Sequence, residues 1–151
     1  MRELDALVRI RRLLLAALAF GALGTGVELL FLGHFESPVQ IVPLALLVAA
    51  LVTLGWHTAA PSRASVRMLQ GTMIVFLASA GIGAGLHYDG NTARELEESP
   101  SSGGVALIRR SLTGEAPVLA PGTMALLGLI GLAHAYRHPS LAEEGSGGRD
   151  L

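Results

Sequence analysis

The chain has 151 residues, enough for one domain, and 51% of them are hydrophobic while only 15% are charged. A soluble domain carries roughly 25% charged residues; here the charges lie between long apolar runs, which is a membrane pattern. A net charge of −1 says nothing about nucleic acid, but no basic, aromatic-interleaved patch is present, so none is expected as a partner; the lack of cysteine excludes disulfides, thiolate catalysis and Cys-ligated zinc or iron–sulfur centres.

The N-terminal MRELDALVRIRR is a charged lead-in, and Arg9, Arg11 and Arg12 sit directly before the apolar run 13–32. That run matches the roughly 20 residues needed to cross a bilayer core and carries one charge, Glu28. Ala17-Leu18-Ala19 has the look of a signal-peptidase site, but the apolar run continues past it and more spans follow, so an uncleaved first helix is expected. Ser37-Pro38-Val39-Gln40 predicts a capping box with proline in the first turn, opening a second span that ends at Trp56-His57. After the Pro61–Ser65 turn, Met68 to Leu86 is the third span.

Polarity changes abruptly at His87-Tyr88-Asp89, and Asp89-Gly90 is expected to end that helix. Thr92-Ala93-Arg94-Glu95 reads as a second capping box for a short helix over 93–98, stopped by Pro100. Val105 to Leu112 reads as a short interfacial helix, with Val105, Ile108 and Leu112 on one side and Arg109 and Arg110 towards headgroups. The fourth span follows between Pro117 and Tyr136.

The expected fold is therefore all-α, a polytopic membrane four-helix bundle with a longer outer loop between helices 3 and 4. It forms one domain over 1–138, with spans of about 13–33, 39–57, 68–87 and 117–136, and a disordered cytoplasmic tail over 139–151. Arginine placement sets the orientation: Arg2, Arg9, Arg11, Arg12, Arg63, Arg67, Arg137 and Arg149 fall on one side, Arg94, Arg109 and Arg110 on the other. The positive-inside rule then puts both termini in the cytoplasm. Small residues predict close helix contacts: Gly21 and Gly24 on the first helix, and Ala80, Gly81, Gly83, Ala84 and Gly85 on the third.

No Gly-x-Ser-x-Gly, phosphate loop or His-Glu-x-x-His is present, so no motif fixes a reaction. Glu28, with Thr25 beside it, is a candidate intramembrane polar site, expected to point across a small-residue face towards another helix. Its structural role would be a hydrogen-bonded or protonated carboxyl; its functional role would be proton-coupled transport of a small solute. A glutamate in the first of four spans resembles the small multidrug-resistance transporters, which exchange protons for cations as dimers; the usual first-helix pattern of that family is missing.

His34, Glu36, His87, Asp89 and Glu95 come from two helix ends and form a candidate outer-face metal site of imidazole and carboxylate ligands. The alternative is a solvated acidic loop with interfacial histidines. His34, His57, His87 and His134 also fall one near the end of each span, so diagonal pairs suit two b-type haems. No cofactor is evident beyond these readings. The segments GHFESPVQ, GLHYDGN and LAPGTM with GLAHAYRHP resemble small bacterial four-helix membrane proteins of unassigned function, which implies a bacterial inner-membrane location and no activity. The expected role is that of a non-enzymatic accessory protein or self-associating bundle. Its partners would be the lipid bilayer and either a second copy or another membrane protein.

Overall fold

The structure is a computed structural model that describes residues 2–114 and 116–142, with side chains from Asp5 onward. Five α-helices follow in order: α1 (Arg2–Phe31), α2 (Pro38–Ala59), α3 (Arg63–Glu98), α4 (Gly104–Leu112) and α5 (Gly122–Ala135). No strand occurs among the described residues. Three helices, α1 to α3, are long and apolar enough to cross a membrane.

Their surface supports the same conclusion from the packing side. Phe20 is 81% exposed, Phe31 88% and Val52 67%, whereas the centre is filled by Leu18, Ala22, Ala50, Leu69, Met73 and Phe76, all 0% exposed. In water, so many outward-facing large apolar side chains would oppose folding; in a bilayer they meet lipid tails as apolar as themselves. The chain is a membrane protein by this pattern.

α1 lies against α2 and α5, and α3 against α2, α5 and α4, so α1 and α3 sit diagonally across the core. α1 ends where Gly33 takes φ +66°, with Gly33 N–H donating to Leu30 O and His34 N–H to Leu29 O. Such left-handed closure satisfies orphan carbonyls at a helix end and favours glycine, which has no Cβ to clash. α2 opens as its residues predict: Ser37 Oγ accepts from Gln40 N–H, and the Gln40 side chain accepts from Ser37 N–H. Ser62 and Ser65 form the same reciprocal box at the start of α3.

The structure departs from five expectations. Asp89-Gly90 does not end the third helix: α3 runs unbroken for 36 residues, about 54 Å at 1.5 Å per residue. A glycine in a helix costs about 1 kcal/mol, and contacts to the next segment offset it. Asn91, buried in the chain, donates to Ser111 O (2.8 Å) and Ala116 O (2.7 Å) and accepts from Ala116 N–H (3.2 Å). Thr92 caps nothing; its hydroxyl donates to Tyr88 O, one turn back, and meets Ser111 Oγ.

Where a fourth span is expected, the apolar helix is shorter than the three long ones. Residues 117–121 form turns, with Ala120 N–H bonded to Pro117 O and Gly122 N–H to Leu119 O, because Pro117 and Pro121 lack the amide hydrogens a continuous ladder needs. The helix itself, α5, has 14 residues, about 21 Å. On α4, Arg110 pairs with Glu95 of α3 rather than reaching for headgroups, while Val105, Ile108 and Leu112 are exposed on one face. The first residues of the tail expected to be disordered are ordered: Pro139–Leu141 is a 3-10 turn, capped by the His138 side chain. Glu115 and residues 143–151 of the tail lie outside the described residues.

Small residues also meet differently. A Cβ on Gly21 would strike Leu127, and one on Gly83 would come within 3.0 Å of Pro121. Ala80 is buried and Ala84 half-buried. Gly24, Gly81 and Gly85 are exposed and have nothing within 4 Å of where a methyl group would stand, so they do not pack inside the chain. The tightest contact was not anticipated: Gly128 and Gly131 of α5 lie directly on Met73 of α3. The Gly128-Leu129-Ile130-Gly131 spacing was the available signal.

Candidate functional site

Five of the predicted site residues lie at the end of the molecule that carries His34. His34 sits in the turn after α1, half-buried; burial first, then the nearby His87, holds the His34 pKa below its ordinary value. His87 Nδ1 is 2.9 Å from Pro117 O, so it donates there. Glu95 accepts from Arg110 and from Ser102 Oγ. Glu36 and Asp89 are exposed. No three of these residues bring ligand atoms together. Pro117 holds His87 to the segment after α4, and Arg110 holds Glu95 to α4 itself.

Glu28 does not point towards a neighbouring helix of its own chain. It is exposed on α1, as are Val27 and Phe31, while Thr25 is half-buried. A groove of about 420 Å³ runs between α1 and α2, lined by Arg12, Leu15, Ala19, Leu51, Leu54 and Thr58 among others. It holds neither Glu28 nor any other carboxylate or imidazole.

The histidines at the opposite end converge. His57 lies in the last turn of α2, His134 in the last turn of α5, and His138 just beyond it. Both helical histidines are buried, 4% and 3% exposed, and His138 is half-buried. The chain turns back to place His138 through Arg137, whose φ of 46° is left-handed in a non-glycine residue. Ring centroids of His57 and His138 are 5.0 Å apart, and those of His57 and His134 5.3 Å. Ligand atoms of all three lie within 4.8 Å of one another, the one such group among the described residues.

No family model, curated protein or solved structure matches the chain.

Surrounding groups fix this histidine cluster from every side. Arg11 of α1 donates to the carbonyl oxygens of His134 (2.7 Å), Tyr136 (3.0 Å) and Arg137 (3.0 Å), closing the open end of α5 with a cation. His134 Nδ1 lies 3.0 Å from Arg11 O, and His57 Nδ1 lies 3.0 Å from Ser65 Oγ. The two Nε2 atoms face each other at 3.3 Å. That separation leaves no room for a porphyrin between His57 and His134, the diagonal pair that suggested one. Burial, then His57, Arg11 and His134, push the His138 pKa down to about 4, so its imidazole is neutral at neutral pH. The sequence pattern marks His57 and His134 near the ends of their spans but gives His138 no such signal; only the turn at Arg137 brings it in.

Proposed function

We propose that the chain is a multi-pass protein of the bacterial inner membrane, with both termini cytoplasmic, whose role is non-enzymatic. It associates side by side with another membrane-spanning chain, in the first place a second copy of itself. α1 to α3 each cross the bilayer, and α5 with the turn segment before it makes the fourth pass.

The observation that carries this reading is the outward placement of Glu28. A carboxyl in an apolar span is costly against lipid and normally faces the interior of a bundle, another polar group or a water-filled space. Here it is exposed on α1 and does not line the groove between α1 and α2. Gly24, one turn earlier, is also exposed and has open space where a side chain would be. A small residue one turn from a polar one is what a facing helix needs to approach closely and accept a hydrogen bond. On the far side of the molecule, Gly81 and Gly85 of α3 offer a second open strip.

The test is the mass of the purified protein in mild detergent, by light scattering across dilution, for the wild type, Glu28→Leu and Gly24→Leu. A dimer or larger assembly that falls to monomer, or whose dissociation constant rises about tenfold or more (~1.4 kcal/mol or above), supports the reading. Monomers throughout, or an assembly indifferent to both changes, would sink it.

A further inference from the structure

We propose that His57, His134 and His138 form a binding site for a divalent first-row transition ion of the zinc type, at the end of the molecule where α1 begins and α5 ends. The partners of each ring decide where its proton sits. Arg11 O is a carbonyl and only accepts, so His134 Nδ1 carries a proton and its Nε2 keeps a lone pair. Ser65 Oγ lies 2.9 Å from Ser62 O, to which it donates, and it also accepts from Ser62 N–H. Its remaining lone pair accepts from His57 Nδ1, which leaves the Nε2 of His57 unprotonated as well. Two bare nitrogens thus face each other across 3.3 Å.

A cation between them resolves that opposition. Zinc binds imidazole nitrogen at 2.0–2.1 Å in tetrahedral geometry, which places any two ligand nitrogens roughly 3.3–3.4 Å apart. The observed separation of 3.3 Å matches. Metal-bound histidines almost always donate their other N–H to a carbonyl, carboxylate or hydroxyl, and Arg11 O and Ser65 Oγ already play that part. His138 is the adjustable third ligand. Its Nδ1 accepts the Ser140 N–H at 3.3 Å, a long bond that a ring rotation gives up, and its ring already lies against both others. Water or a small anion completes the four positions. An imidazole-only set favours zinc, copper or nickel over the oxygen-seeking magnesium and calcium.

The competing arrangement is a metal-free hydrogen-bond chain. Ser65 would donate to His57 Nδ1 rather than to Ser62 O, and His57 Nε2–H would donate to His134 Nε2. The experiment separates the two. Protein purified without a polyhistidine tag and stripped with chelator is titrated with Zn²⁺ alone by calorimetry and with Co²⁺ alone by absorption. The same titrations are run on His134→Ala, His138→Ala and Ser65→Ala. His138 lies outside the helices, so its variant keeps the fold if that of His134 does not.

The expected result is one ion per chain and intense tetrahedral Co²⁺ bands. Affinity should fall at least 100-fold in His134→Ala and 10- to 100-fold in Ser65→Ala, the range for losing an outer hydrogen bond to a ligand. His138→Ala should weaken binding and alter the Co²⁺ spectrum. No binding, weak octahedral Co²⁺ bands, or binding unchanged in His138→Ala would overturn the site.

Discussion

Gly33 and His34 show how single residues set the His34 end of the molecule. The left-handed glycine, two residues past Phe31, closes the end of α1 and swings His34 off the helix towards His87. With its pKa lowered from 6.5, His34 in the folded chain binds fewer protons than in the unfolded chain over the interval just below 6.5. Its contribution to stability is therefore complete above pH 6.5 and is lost as the pH falls through that interval. An NMR titration of the His34 ring should give a midpoint below 6.5. Amide protection over residues 32–37 should weaken as the sample is acidified below that pH. A midpoint at or above 6.5 would contradict the burial and the His87 contact together. Arg137 plays the equivalent part at the other end, holding a strained left-handed conformation that costs roughly 1–2 kcal/mol so that His138 returns to His57 and His134.

Between elements, the α3–α5 contact is the most extensive among the described residues, and glycines of the shorter helix let it form. At Gly131 a methyl group would meet Met73 and Leu18, both fully buried and held on all sides. Gly131→Ala should lower stability in detergent by about 1–3 kcal/mol, the range for overfilling a well-packed interior. Gly81→Ala, on the open face of α3, should leave the fold unchanged or stabilise it by up to about 1 kcal/mol through helix propensity. Thermal unfolding of the two variants side by side checks the contrast; equal effects would mean that α5 does not seat on α3 as described. α4 illustrates a different balance. Its Ser111, Arg110 and the chain just after it are tied to α3 by Asn91, Thr92 and Glu95, while its apolar stripe stays outside. Gly114 permits this, since a side chain there would collide with Asn91.

At the level of the whole molecule, the two ends differ in chemistry. One end holds Arg11, Arg12 and the three clustered histidines; the other holds Asp89, Glu95, Glu97 and Glu98 at the close of α3. In the proposed orientation, which follows the basic residues beside the spans, the first end is cytoplasmic. The absence of native cysteine makes that directly testable by single-cysteine labelling in intact cells. A cysteine replacing Ser101, in the connection between α3 and α4, should react with a membrane-impermeant maleimide added outside. One replacing Ser62, in the turn between α2 and α3, should stay unlabelled until the membrane is opened. The reverse pattern would invert the orientation and place the histidine cluster outside.

The helical class, the three long spans and the Ser37 capping box were all decided by local sequence. Each depends on hydropathy over about 20 residues or on groups three positions apart. The direction in which Glu28 points was not legible, because residues that look like a helix-facing strip become an outer face once α5 takes the place against Gly21 instead. The length of α3 is beyond local sequence for the same reason. Gly90 and Asp89 are poor helix residues locally, and the bonds that keep the helix intact come from Ser111 and Ala116, twenty and more positions away. The histidine cluster belongs wholly to the tertiary structure. His57 and His134 are 77 positions apart, and only the seating of α5 between α1 and α3, closed by Arg11 and turned at Arg137, sets their nitrogens face to face.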